Sequence, residues 1–191
     1  RASGPVRAFR FRVELELWPE HPCWREIVVP VDFTFAEFHQ AIQSAFLWWG
    51  YHAYDFSLTS HGEKLAITGD TGGIDMMFAG LHGARGKEVS ARELFLEDIF
   101  PRTRTARYTY DYGDDWEHKI RLVETIEAYE GSLPACTGGD GDAPPEDVGS
   151  IWGYEDFLRV IADKSDPEHD SMVEWGEGLG YEPVSLDAVN E

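Results

Sequence analysis

Residues 9–17 read Phe9-Arg10-Phe11-Arg12-Val13-Glu14-Leu15-Glu16-Leu17, five apolar side chains alternating with four charged ones. A period of two places every apolar group on one side of an extended chain, so this is a strand with one face in a core and one in water. Ile27, Val29 and Val31 repeat the alternation after the Pro19–Pro22 turn, and the short link predicts an antiparallel hairpin. Working forward, Thr34 and Glu37 have capping-box spacing, and Phe35, Phe38, Ile42, Ala45, Phe46 and Trp49 recur at helical spacing as far as Gly50. An aromatic stripe of this kind packs on a sheet more often than it lines a ligand pocket.

Tyr54, Phe56 and Leu58 share one face of a third strand over 52–60, whereas the Gly-rich stretch 61–90 has no clear period. Thr105–Asp111 and Trp116–Glu124 flank Gly113-Asp114, a pairing that suits a two-residue hairpin turn. Residues 133–150 read as a Gly, Pro and Asp loop. Tyr154, Phe157, Leu158 and Ile161 mark a second helix, and Asp166-Pro167 opens a third that stops near Gly176. Strands gathered early and helices late predict an α+β fold, an antiparallel or mixed sheet packed by an amphipathic helix with further helices toward the C-terminus.

The chain has 191 residues with 16 Lys and Arg, 36 Asp and Glu and a formal charge of −20. Nearly all of that charge lies in residues 111–191, which hold 4 basic and 22 acidic residues, a balance of −18. Such a third repels a phosphate backbone, so duplex DNA binding at physiological salt is not expected. Aromatic residues make up 14% of the sequence, far more burial than a chain kept unfolded by charge carries. The two cysteines, Cys23 and Cys136, lie far apart without a CxxC pair, which fits a reducing cytoplasm. No apolar run is long enough to span a bilayer, and Arg1–Pro5 lacks the apolar core of a signal peptide, so no membrane partner is expected.

The stretch Tyr110-Asp111-Tyr112-Gly113-Asp114-Asp115-Trp116-Glu117-His118 resembles a signature of the plasmid pRi ORF-3-like family, whose members are often labelled transposon resolvase (TnpR) or mobile-element passenger proteins. Further pieces match in order. They are Trp24-Arg25, Val29-Pro30, the first helix with His52, Pro134-Ala135-Cys136 with Gly138 and Gly139, Pro144-Pro145-Glu146-Asp147-Val148-Gly149, and a close near Val189-Asn190. Ser150 departs from the pattern, which has a second glycine there. The resemblance covers nearly the whole chain and implies a single domain over 1–191, with a site drawn from these pieces: His52, Asp114, Asp115, Trp116, Cys136, Pro145, Glu146 and Asp147.

A two-residue turn would set Asp111 opposite Trp116 and diagonal to His118, on one face with Thr109 and Ile120. Asp111 could then orient the His118 imidazole for proton transfer or metal ligation, or simply hydrogen-bond it at the rim of the core. Glu117-His118-Lys119, with Asp111 upstream, also has the acid-x-Lys form of a nuclease strand, making Asp111, Glu117 and His118 the candidate catalytic residues. Asp114, Asp115, Glu146 and Asp147 offer hard oxygen ligands for a divalent cation, the one cofactor the sequence suggests. The loop after Asp140 and Asp142 does not fit an EF-hand, and Cys136 with His118 makes at most half a zinc site. Resolvase activity is disfavoured: His-x-x-Arg occurs at both His82–Arg85 and His118–Arg121, and Arg102, Arg104 and Arg107 are too small a cluster for a DNA surface. Two readings remain. The preferred one is a non-catalytic binding or regulatory domain of mobile elements whose acidic face meets a protein partner or a divalent cation. The alternative is a cation-dependent nuclease or hydrolase centred on the Asp111–His118 hairpin.

Overall fold

The computed structural model describes residues 4–69 and 86–181. The His82–Arg85 pattern and the closing Val189-Asn190 lie outside them. The strands are β1 (Val6–Leu15), β2 (Cys23–Pro30), β3 (Tyr54–Ser60), β4 (Glu63–Thr68), β5 (Lys87–Ser90), β6 (Thr105–Tyr110), β7 (Trp116–Tyr129) and β8 (Ala135–Asp140). They form one sheet in the order β5-β4-β3-β6-β7-β1-β2-β8, antiparallel except for the parallel β4–β5 pair. The helices are α1 (Phe35–Phe46), α2 (Leu96–Ile99), α3 (Ser150–Ala162) and α4 (His169–Gly178). The α+β architecture is as the sequence predicts.

The alternation in β1 divides as expected: Phe9, Phe11, Val13 and Leu15 are buried, while Arg10, Arg12, Glu14 and Glu16 face the other way. Against the apolar face lies α1, with Phe38 4.7 Å from Phe11 and 5.9 Å from Phe56, ring to ring. The capping box forms as the spacing predicts, the Glu37 N–H donating to Thr34 Oγ1 at 3.2 Å and the Thr34 N–H to Glu37 Oε2 at 2.7 Å. At its other end α1 stops on Leu47 in the left-handed region (φ 60°), which turns the chain sharply into Trp48-Trp49-Gly50. Within 61–90, unreadable by period, lie β4 and the edge strand β5.

Two expectations need correction. The chain 133–150 is not all loop, because Ala135–Asp140 adds to β2 as the terminal strand β8. Gly138 and Gly139 leave no side-chain period there, and a Cβ on Gly139 would lie 2.9 Å from Arg25 Cδ and 3.1 Å from the Trp24 carbonyl. The second correction concerns the acidic hairpin. Tyr110 pairs with Trp116, Thr109 with Glu117 and Tyr108 with His118, one residue out of the expected register. Gly113 does not adopt a positive φ; instead Asp111 and Asp115 do, at 57° and 59°. The Asp115 N–H closes on the Asp111 carbonyl at 2.6 Å, and the Asp111 carboxylate accepts from the Gly113 N–H at 2.9 Å. Aspartate tolerates this conformation better than most residues and can hydrogen-bond its own turn, so 111–115 becomes a wider loop. The slip carries Tyr108 and Tyr110 to the core face beside Trp116, His118 and Ile120.

Candidate functional site

Three loops meet at one end of the sheet: 47–53 after α1, 111–115 between β6 and β7, and 143–149 before α3. Trp48 fastens the first to the third, its Nε1–H donating to the Pro144 carbonyl at 2.8 Å, and it stacks on Tyr110 at 5.2 Å. Behind it sits the buried Trp116, 6.4 Å away ring to ring. The Gly149 N–H donates to Asp114 Oδ2 at 3.0 Å and ties the third loop to the second. The two polar stretches, 110–118 and 144–149, therefore meet at one end of the sheet.

At the junction is His52. Its Nε2 lies 3.0 Å from Asp147 Oδ1, 3.6 Å from Asp111 Oδ2 and 3.9 Å from Glu146 Oε2. One ligand atom from each of His52, Asp111 and Asp147 falls within 4.8 Å of the others. Asp147, like Asp111, holds a left-handed backbone (φ 57°), and the Tyr51 hydroxyl donates to its Oδ2 at 2.6 Å. Glu146 is buried and receives the Trp49 N–H at 2.8 Å and the Tyr110 hydroxyl at 3.1 and 3.2 Å.

Burial pushes the Asp111 and Glu146 carboxyls above their ordinary range, and the surrounding N–H donors and His52 pull them part of the way back. Burial, with Glu146 beside it, likewise holds the Tyr110 phenol protonated. Three carboxylates thus crowd one imidazole, more negative charge than a single histidine can balance. The residues fit a divalent cation: an imidazole nitrogen and two or three carboxylates, donors that zinc and manganese accept.

The remaining sequence candidates disperse. Asp114 caps the third loop, and Asp115 is exposed at the end of its turn. Pro145 is buried beneath the site. Cys136 is buried in β8 with its thiol pushed up by burial, its Sγ 3.5 Å from the Gly138 carbonyl. Glu117 stands on the opposite sheet face, 2.8 Å from Arg107. His118 is not diagonal to Asp111. It is fully buried, with Nδ1 3.3 Å from the Tyr108 carbonyl and 3.1 Å from that of Trp116, and burial lowers its pKa to about 3. The catalytic trio Asp111, Glu117 and His118 is therefore split between the site, the far face and the core. Sequence reasoning missed the hydroxyls of Tyr51 and Tyr110. The second was visible within the motif, but the expected register turned it away from the core.

Over residues 7–190 the chain matches the sequence profile of the plasmid pRiA4b ORF-3-like proteins. It belongs to that family. A relative, the uncharacterized protein y4hQ of Sinorhizobium fredii, is 31% identical over 165 residues, covering 84% of this chain and 77% of its own. The crystal structure of MM3350 from Methanosarcina mazei Go1, a protein of unknown function, superposes with a TM-score of 0.78 at 30% identity, covering 97% of this chain and 98% of that one. The matched span contains both the 111–115 hairpin loop and the 143–149 loop that meet at His52. Among the described residues, no helix is long and apolar enough to cross a membrane.

One neighbour of the site gives a pH prediction. The Tyr112 hydroxyl donates to Asp55 Oδ1 at 3.0 Å, anchoring the acidic loop to β3. Burial raises Asp55 to about 6, with the Tyr112 donor opposing and Asp115 and Glu117 adding to the rise. A carboxyl whose pKa is higher folded than unfolded stabilises the fold below its unfolded value and loses that contribution as pH rises through the folded one. Asp55→Asn keeps an acceptor for Tyr112 and removes the buried charge. It should be more stable than the parent at pH 8 by up to about 3 kcal/mol, because each tenfold change in proton affinity between the folded and unfolded chain is worth about 1.4 kcal/mol. The gap should close by pH 4, as read by urea unfolding at both values.

Proposed function

We propose that this is a binding domain of mobile elements in which His52, Asp111 and Asp147, backed by Glu146, take up a divalent cation at the acidic end of the sheet. The observation that carries the reading is the convergence of those ligand atoms within 4.8 Å from three separate loops. A cation would relieve the repulsion among the carboxylates and favour the ionised forms of Asp111 and Glu146, so its affinity should rise with pH. Trp49 and Tyr51, 61% and 51% exposed, border the acids and offer apolar ground to a protein partner. The acidity of residues 111–191 argues against duplex DNA as that partner.

Titration with Mn²⁺, followed by loss of the free-ion resonance signal, should show one saturable site in the parent. His52→Ala and Asp147→Asn should each weaken it by about tenfold or more, a change worth about 1.4 kcal/mol. At a hundredfold excess over Kd the ion should add about 2.7 kcal/mol to the parent's stability. Absence of saturable binding in the parent, or equal binding in all three proteins, would refute the reading.

A cation-dependent hydrolase remains the second reading, relocated from the hairpin to the His52 cluster. It is favoured by the solvent access of the ligands, the side chains of Asp147 and His52 being 55% and 26% exposed, because a cation there would keep positions for water. A hydrolysis screen with Mn²⁺ on the parent and Asp147→Asn separates the readings: turnover lost in the variant establishes the enzyme, and binding without turnover keeps the non-catalytic domain.

A further inference from the structure

The sheet face turned away from α1 carries a groove of about 720 Å³ lined by Arg12, Lys64, Arg107, Lys119 and Arg121, with Glu14 as the single acid. In a chain of charge −20, nearly a third of the 16 basic residues meet there. Strand register explains how. Arg107 pairs with Lys119 and Lys119 with Glu14, and this row is neutralised: Arg107 and Lys119 both hold Glu16, and Arg107 also holds Glu117. Two residues along runs a second row. Lys64 on β4 pairs with Thr59 on β3, Thr105 on β6 pairs with Arg121 on β7, and Arg121 pairs with Arg12 on β1.

Arg12 has company, lying 3.8 Å over the Trp24 ring, 3.6 Å from Glu14 and opposite Glu26. Arg121 and Lys64 have no ion pair among the described residues. Like charges set directly opposite on neighbouring strands destabilise a sheet. The other charged cross-strand neighbours of β1 and β7, Arg10 with Glu124 and Glu14 with Lys119, are of opposite sign. Across β1 and β7 the Arg12–Arg121 pair is the exception, and it lies in the groove, whereas the like-charged Arg107–Lys119 pair of β6 and β7 is offset by Glu16 and Glu117.

We propose that this groove binds a compact phosphate-bearing ligand of nucleotide size, held by Arg121, Lys64 and Arg12 with the hydroxyls of Thr59 and Thr105 between them. A phosphate supplies the negative charge that Arg121 and Lys64 lack, and planar guanidinium groups donate to it in pairs. The volume suits a small molecule. Glu14, Glu16 and Glu117 beside the cations, together with the net charge, oppose a continuous polyanion such as a nucleic-acid strand.

Calorimetric titration with ATP at low salt and without metal should show one saturable site, for which inorganic triphosphate competes. Arg121→Glu should weaken ATP binding by at least about tenfold. The new carboxylate would face Arg12, so this variant's unfolding midpoint should stay level or rise, which separates a lost ligand contact from a damaged fold. Lys64→Gln should weaken binding too, and His52→Ala should leave it unchanged. No saturable binding up to millimolar ATP, equal affinity in the parent and Arg121→Glu, or tighter binding of a single-stranded oligonucleotide than of ATP would each overturn the proposal.

Discussion

Arg25→Met should destabilise the protein by more than about 3 kcal/mol, the scale seen when a buried charged group that satisfies several partners is removed. Arg25 is fully buried. Its Nε donates to the Ala45 carbonyl at 2.9 Å, and Nη1 to those of Trp24, Asp140 and Gly141 at 2.9, 3.2 and 2.9 Å. Ala45 lies in the last turn of α1, where carbonyls lack helical partners and the helix dipole favours a cation. One side chain therefore joins the end of α1 to β2 and β8. Methionine fills most of the space but leaves those carbonyls without donors. Arg25→Lys should also cost stability, since a single ammonium cannot reproduce the fork. Urea unfolding measures both, and a loss below about 1 kcal/mol for Arg25→Met would show that water replaces the guanidinium without penalty.

His118→Ala should cost about 2–4 kcal/mol as a core truncation. The ring sits 5.1 Å from Phe46, 5.5 Å from Trp48 and 5.1 Å from Tyr108. No hydrogen bond joins it to Asp111, so His118→Ala and Asp111→Asn should add within about 0.5 kcal/mol in the double mutant, not couple as the sequence-derived register implies. Its pKa of about 3 has a further consequence. A histidine that stays neutral when folded binds fewer protons than in the unfolded chain. Its contribution is whole above about pH 6.5 and is lost as pH falls toward the folded value. His39, lowered to about 4 by burial, acts in the same direction. The parent should therefore weaken more steeply than His118→Ala as pH falls below 6.5; parallel pH profiles would contradict a neutral buried ring.

The parts of the fold legible in sequence were those whose signals are local. β1 declares itself because one face is buried and the other wet along its whole length, and α1 because Thr34 and Glu37 satisfy each other within one turn. β8 was hidden because its place comes from β2 and Arg25, and its glycines fit where side chains would not. Gly141 makes the point most sharply: its φ is +78°, and a Cβ there would lie 1.7 Å from the Pro22 carbonyl. The hairpin register was misjudged because a Gly-Asp pair suggests a tight turn, whereas Asp111 and Asp115 supply the left-handed residues of a wider one. That single slip misplaced His118 and concealed Tyr110.

The site was legible in its members more than in its geometry. His52 and Asp147 are 95 positions apart, so no spacing rule links them. Their meeting depends on the sharp exit of α1 at Leu47 and on the Trp48–Pro144 hydrogen bond. Asp111 and Glu146 belong to separate stretches of sequence, and the fold brings both to the same imidazole.

The most direct test of the cation site is anomalous diffraction from crystals grown with Mn²⁺. A peak is expected within about 2.0–2.3 Å of His52 Nε2 and of carboxylate oxygens from Asp111 and Asp147, typical coordination lengths for such ligands. A map without a peak at that position, or with manganese bound only by Asp140 and Asp142 in the neighbouring loop, would contradict it.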